Sequence, residues 1–279
     1  MLRRTRLALR HVVQGRALSA HLHAAPALRG GQPLQLDLPP PVAAALRSAH
    51  RYLLDDGTPL YALAFDAERF QPQAFAAAAI ACPDSVARSV RKRQAEFLFG
   101  RLAARLALGE ALGPAQAQAE IAIGASREPR WPAGSLGSIS HSNGCAAAVA
   151  LPAGQAHGIG IDLERLLAPA AREAVLSMAI DAQEADLLAA AANPLWSHDA
   201  LLTALFSAKE SLFKAAFGAV GRYFDFEAAR VCAVDLARQQ LRLRLTETLC
   251  AQFAEGQVCE IGFARLDLDP QLVLTHYAW

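Results

Sequence analysis

A chain of 279 residues with 53% hydrophobic content can bury the core of one large domain or two small ones, which excludes a disordered polypeptide. Its 27 cations and 26 anions leave a formal charge of +1, so no global field draws it to nucleic acid or an acidic membrane, and any polyanionic partner must be met locally. Five cysteines, odd in number and without a CxxC pair, argue against a disulfide framework and a zinc site and for a reducing compartment, the cytoplasm.

No apolar run approaches the roughly 18 residues needed to span a bilayer, so stable membrane insertion is not expected. Residues 1–50 carry Arg3, Arg4, Arg6, Arg10, Arg16 and Arg29 with no acid before Asp37, and close on Pro39-Pro40-Pro41. They read as a loosely held basic extension or an organelle-targeting segment; the extension is favoured, because the apolar stretch is too short for a secretory signal. Residues 60–66 (LYALAFD) predict a strand, and Pro83-Asp84 opens a long helix with Asp84 as N-cap, ending near Gly113-Pro114. Strands are expected at 120–123, 137–141 and 145–151.

A second half opens near Gly158 with the strand GIGIDLERL and continues through two helical stretches, the second with Asp181 and Glu184 spaced as a capping box. A longer helix follows from about His198 to Phe217, stopped by Gly218. Leu241, Leu243 and Leu245 then alternate with Arg242 and Arg244, and the chain ends in LVLTHYAW, as half-buried antiparallel strands do. The expected fold class is α+β, with two similar α/β subdomains and an active site in the cleft between them. The expected boundaries are a basic N-terminal extension at 1–50, one subdomain at 51–152 and the other at 153–279.

With a period of two, Gly158, Gly160, Asp162 and Glu164 share one strand face, while Ile159, Ile161 and Leu163 share the other and go to the core. The first face offers backbone access to a bulky ligand and then two carboxylates. Like charges that close need a cation, and hard oxygen ligands suit Mg²⁺; two solvated acids on an edge strand are the bland alternative. On the long helix of the second half, Leu201, Leu205, Leu212, Phe213 and Phe217 sweep out an apolar arc, and Thr203, Ser207, Glu210 and Lys214 form a polar strip. Glu210 and Lys214 are i,i+4 neighbours that would pair. Lys209 falls inside the arc, where a cation either snorkels out or is held for a purpose. The chain has 24 Arg against three Lys (Lys92, Lys209, Lys214), so a surviving lysine marks a place where a compact ammonium is worth asking about.

Arg88, Arg91, Lys92, Arg93, Arg101 and Arg105 make the helix of the first half locally basic, either as a solvated face or to hold a multiply phosphorylated small molecule. The segment SREPRWPAGSLGSISHS adds turn residues, a buried-looking Trp131 and His141, which is a core histidine or a phosphate donor.

Four segments, RQAEFLFGRLAAR (93–105), REPRWPAGSLGSISHS (127–142), GIGIDLE (158–164) and FSAKESLFKA (206–215), resemble in order and spacing the Sfp-type 4′-phosphopantetheinyl transferases, in the branch similar to enterobactin synthase component D. The match spans roughly residues 90–217. A lone GxDxE is weak; its combination with KExxxK about 45 residues later is specific. Arg127 departs from the Gly or Lys of many relatives, and Phe206 replaces the Trp of the surfactin-type branch.

The resemblance implies a holo-carrier-protein synthase that moves the phosphopantetheine arm of coenzyme A to a serine of an apo acyl, peptidyl or aryl carrier protein, releasing adenosine 3′,5′-bisphosphate. It implies Mg²⁺ at Asp162, Glu164 and Glu210 with the Leu163 backbone nearby, and coenzyme A at Arg93, Arg101, Ser126, Arg127, Glu128, Pro129, Ser140, His141, Asp162 and Lys214. Asp162, Glu210 and Lys214 are the expected catalytic residues, with Glu210 as proton acceptor. The implied partners are carrier domains of siderophore, nonribosomal peptide, polyketide or fatty acid synthesis, served by a monomer with no nucleic acid. A non-catalytic coenzyme-A-binding protein of the same fold is the alternative, although all three acids and both motif lysines are kept. A metal-dependent phosphohydrolase would leave the SISH and EFLFGR segments unexplained.

Overall fold

A computed structural model describes residues 27–279. The basic residues before Ala27, with most of the expected extension, lie outside the described residues, but residues 27–50 are part of the fold. They supply β1 (Leu28–Pro33), the one-turn helix α1 (Pro40–Ala43) and the start of β2 (Leu46–Leu54). Leu34, Leu36 and Leu38, spaced by two, pack on the first core and hold this segment down. After β2 come β3 (Pro59–Phe65), α2 (Gln73–Ala77), α3 (Asp84–Ala87), α4 (Arg91–Leu112), the hairpin β4 (Ala122–Ile123) and β5 (Pro129–Arg130), β6 (Ser135–Ser142) and β7 (Cys145–Pro152). Five of these strands form an antiparallel sheet in the order β1-β2-β3-β7-β6.

The second half repeats the plan. It contains β8 (Ile159–Arg165), α5 (Pro169–Ala179), α6 (Ala182–Ala191), α7 (His198–Val220), β9 (Ala229–Asp235), β10 (Gln240–Leu245), β11 (Val258–Leu266) and β12 (Asp269–Ala278). Its antiparallel sheet runs β8-β12-β11-β10-β9. Each half is a sheet with one long helix on it, the mixed arrangement expected from the sequence.

Strand alternation assigns side chains to three cores. Ala146, Ala148 and Ala150 of β7 face α4, and their small size lets the helix lie close; Cys145, Ala147, Val149 and Leu151 point the other way, against Ile159, Ile161 and Leu163 of β8. The third core joins the second sheet to α7. The layers are therefore helix, sheet, sheet, helix. Where the sheets meet, the edge strands β6 and β8 are bridged by hydroxyls: Ser138 Oγ accepts from the Ile161 amide at 3.0 Å and Ser140 Oγ from the Leu163 amide at 3.1 Å. Edge groups that would otherwise be unpaired are satisfied, and the two halves are locked at this seam.

Four local expectations are corrected. The basic helix does not start at Asp84: α3 is a separate turn, the chain is extended at Val90, and the Gln94 side chain donates to the Ala87 and Ser89 carbonyls across the break. Asp84 lies in the first turn of α3 rather than capping it. Gly218 does not stop α7, which runs on to Val220 and ends at Gly221 in the left-handed region, φ 68°. The capping box of Asp181 and Glu184, by contrast, forms in both directions. Among the described residues no helix is long and apolar enough to cross a membrane.

The fourth correction concerns the bare face of β8. The glycines admit α7: a Cβ on Gly160 would lie 2.0 Å from the Ser211 carbonyl oxygen, and one on Gly158 would lie 2.1 Å from that of Ala215, although Gly158 also borders an open cavity. Helix backbone rests directly on strand backbone, which brings the side chains of α7 level with the carboxylates of β8. Gly160→Ala is therefore expected to push α7 outward and cost about 2–3 kcal/mol, as overpacking against a rigid backbone does. Urea denaturation checks this, and an unchanged midpoint would count against the close approach.

Candidate active site

Asp162, 4% exposed, is the centre of the seam. Its Oδ1 accepts from Lys214 Nζ at 2.6 Å and Ser140 Oγ at 2.9 Å, and its Oδ2 accepts from Ser207 Oγ at 2.8 Å. Lys214 also donates to the Ile161 carbonyl at 3.1 Å and lies 3.3 Å from Ser140 Oγ. Three elements thus converge: β8 supplies the acid, β6 a hydroxyl and α7 the cation. The i,i+4 pairing expected between Glu210 and Lys214 gives way to this contact, because the Gly160 approach carries Lys214 directly over the strand.

Glu164 and Glu210 are half-buried beside this pair. Burial, then the charges of Asp162 and Glu210, push the Glu164 carboxyl up to about 7, with Lys214 acting in the opposite direction. Burial and Asp162 raise Glu210 as well. Three carboxylates share one locality with a single ammonium, a donor set and a charge imbalance that fit a hard divalent cation. Among the described residues no three such side chains are closed into a ready cage.

The raised Glu164 makes a prediction with a definite sign. Because its folded value lies above the ordinary 4.5, the penalty for ionising it is absent at low pH and grows as pH rises from about 4.5 to about 7. Glu164→Gln should therefore gain stability over the parent across that window, by roughly 1–2 kcal/mol at pH 8 after allowance for solvent screening. Denaturation midpoints without divalent ions test this, and parallel pH profiles for the two proteins would reject it.

On the other wall, Arg93 donates to His141 Nε2, which leaves the ring proton on Nδ1, 3.5 Å from Glu96. Burial, Arg93 and Lys214 hold this imidazole down at about 4, so it is neutral near pH 7. Arg101, 9% exposed, donates Nε–H to the Ile121 carbonyl at 2.8 Å and lies 4.4 Å over the Phe97 ring. Burial and Arg93 lower it to about 10. Arg105 binds the Ala78 and Ala79 carbonyls. The far arginines of the basic helix therefore tie loops to α4, while Arg88, Arg91, Lys92 and Arg93 remain exposed.

Two cavities open here. One, of about 420 Å³, is lined by Ser85, Ser89, Arg93, Arg101, Arg127 and His141. The other, of about 400 Å³, has an aromatic wall of Trp131, Phe213, Phe217 and Tyr223 beside Lys214 and the turn at 126–129. Arg127, Pro129 and Ile139 line both. In that turn Arg127 holds the left-handed φ of 67°, a strained choice for a non-glycine residue, and Glu128 folds back to accept from the Ser126 amide. Trp131 is half-buried across Gly137.

Phe213 and Phe217, expected in the core, instead turn toward the second cavity and pack on Tyr223. Lys209 does not snorkel: it is buried and bonded to Glu184 and the Ala179 carbonyl. The sequence reading missed Tyr223, 67% exposed, whose hydroxyl donates to the Ser126 carbonyl across the two halves, and Thr275, which bonds Ser207 beneath Asp162. Thr275 left one signal, a hydroxyl inside an apolar strand.

Comparison with known proteins gives two family matches. The 4′-phosphopantetheinyl transferase N-terminal domain matches residues 82–151, and the 4′-phosphopantetheinyl transferase superfamily matches residues 158–264. The chain is 33% identical over 182 residues to enterobactin synthase component D of Salmonella typhi, covering 65% of this chain and 72% of the relative. It is 39% identical over 152 residues to 4′-phosphopantetheinyl transferase Svp of Streptomyces mobaraensis, 54% and 58% of the two chains. With 4′-phosphopantetheinyl transferase PptT of Mycobacterium tuberculosis it shares 34% over 149 residues, 52% and 61%.

Proposed function

Because the chain belongs to the 4′-phosphopantetheinyl transferase superfamily and is an enzyme of that kind, which modifies carrier proteins, we propose that it uses coenzyme A and Mg²⁺ to modify a serine of an apo carrier domain. The observation that carries the reading is Asp162, gripped by Lys214 at 2.6 Å, between two raised carboxyls and two adjoining cavities of different character. The basic cavity suits the phosphorylated adenosine end, with Arg93 and Arg101 near its 3′-phosphate. Ser126, Arg127, Glu128 and Pro129 would border the adenine, and the aromatic cavity suits the pantetheine arm.

In the proposed reaction the serine Oγ attacks the phosphorus that carries the pantetheine arm, a new P–O bond forms, and the bond to the bridging oxygen breaks. Adenosine 3′,5′-bisphosphate leaves. Glu210, a stronger base than an ordinary carboxylate because of burial and the Asp162 charge, takes the serine proton. Lys214 turns its ammonium from Asp162 to the diphosphate, and Arg93 faces the 3′-phosphate. An arriving phosphate lifts the neutral His141, so that the ring gains a second N–H with Ser140 beside it. Asp162, Glu164 and Glu210, with the Leu163 backbone close by, would hold Mg²⁺, which when bound neutralises charge on the diphosphate oxygens.

Similarity to enterobactin synthase component D makes siderophore carriers the first choice of substrate. The test is incubation of the purified protein with coenzyme A, Mg²⁺ and a panel of apo carrier domains, followed by intact mass. Gain of one arm on a carrier serine is expected. Coenzyme binding with no mass gain on any carrier would instead favour a non-catalytic relative.

A further inference from the structure

Under Asp162 lies a row of hydroxyls that the proposed reaction does not use. Ser207 and Ser211 of α7 and Thr275 of β12 are all fully buried. Ser207 Oγ is 2.8 Å from Asp162 Oδ2 and 2.9 Å from Thr275 Oγ1, and Thr275 Oγ1 is 2.7 Å from Ser211 Oγ.

Counting protons fixes the direction of the row. A carboxylate only accepts, so the single proton of Ser207 goes to Oδ2. Thr275 must then donate to Ser207, and Ser211 to Thr275, with the Thr275 carbonyl 3.1 Å from the same Ser211 hydroxyl. This is the assignment in which every hydroxyl contact is a hydrogen bond: were Ser211 to donate to the carbonyl alone and Thr275 to Ser211, the 2.9 Å contact between Ser207 and Thr275 would hold no proton. We infer that Ser207 and Thr275 are positioning residues: the one-way hydroxyl row fixes the rotation of the Asp162 carboxylate, so that Oδ1 alone is presented to Lys214 and to the divalent ion.

This inference rests on the proposed function for the ion. Its physical basis is that Ser207, the partner of Oδ2, is fixed on a buried helix and is itself held by Thr275 of β12, whereas Oδ1 meets Lys214, a long flexible side chain, beside the Ser140 hydroxyl. Alanine and valine would fill the same volume without burying hydroxyls, so packing alone does not account for three of them in a row. Partners that orient a ligand in this way are worth about 10–100-fold in metal affinity or activity.

The experiment measures Mg²⁺ binding to the full chain by calorimetry without coenzyme, together with kcat and the KM for coenzyme A. Ser207→Ala is expected to weaken Mg²⁺ binding about 10–100-fold and the isosteric Thr275→Val about 3–10-fold. The KM for coenzyme A should stay within about twofold in both, and Thr275→Ser, which keeps the donor, should bind like the parent. Should Thr275→Val not fold, Ser207→Ala carries the test alone. Asp162→Ala is the reference: normal Mg²⁺ binding there would remove the metal reading and this inference with it. If Asp162→Ala binds poorly while Ser207→Ala and Thr275→Val bind normally, the positioning role alone is overturned.

Discussion

Asp162→Ala is expected to lower carrier modification, read as kcat/KM, by about a thousandfold or more, because the change removes the group on which the ammonium, two hydroxyls and the proposed ion converge. Affinity for coenzyme A should change far less, since Lys214 is freed rather than lost. Part of the effect could arise through stability: Ser140 and Ser207 would be left buried without their acceptor, at about 1–3 kcal/mol. Asp162→Asn controls for this, because the amide keeps the shape and an acceptor oxygen but not the charge. Single-turnover rates by intact mass, alongside denaturation midpoints, separate the two contributions. A folded Asn variant within tenfold of the parent rate would remove Asp162 from the chemistry.

The largest stability loss is expected at Glu184. Its side chain and that of Lys209 are each 2% exposed, and they pair at 2.9 Å. Glu184 also accepts from Arg230 at 3.2 Å, the Val231 amide at 2.9 Å and the Asp181 amide at 3.1 Å, joining α6, α7 and β9. Glu184→Ala leaves a buried ammonium whose remaining acceptor is the Ala179 carbonyl, at a cost of about 3–5 kcal/mol. For a domain whose whole stability is on the order of 5–15 kcal/mol, that approaches unfolding. Lys209→Met should cost less, since Arg230 and two amides still satisfy the carboxylate. Combining it with Glu184→Met should recover part of the loss, because two apolar groups leave no buried charge. Equal midpoints for parent and Glu184→Ala in urea would contradict this account. Glu210 follows Lys209 on α7, so the same network steadies the proposed proton acceptor.

Much of the site is legible in short stretches. The period of two in GIGIDLE places Asp162 and Glu164 on one face, and the period of 3.6 in FSAKESLFKA aligns Ser207, Glu210 and Lys214. Both survive in the structure because backbone geometry imposes them wherever strand or helix forms. Gly160 of the same strand was misread: its bareness shows that something approaches closely, but not whether it is ligand or helix. Lys209 is similar. A cation in an apolar arc is visible, while its acceptor, Glu184, lies 25 residues away on another helix. The end of α7 was misplaced by three residues because one glycine, here on the exposed side, is tolerated inside a helix.

The sequence by itself determined the α+β class, the strand and helix that carry the acids and lysines, and through its motifs the kind of chemistry to look for. These follow from local periodicity and from residue type. Only the tertiary structure decided that Lys214 pairs with Asp162 rather than Glu210, that Thr275 stands beneath that pair, and that Tyr223 reaches Ser126. Such contacts join residues 52 to 97 positions apart. They depend on how two sheets meet along the β6 and β8 edges and how far α7 sinks onto β8, quantities set by packing and register that no stretch of chain contains alone.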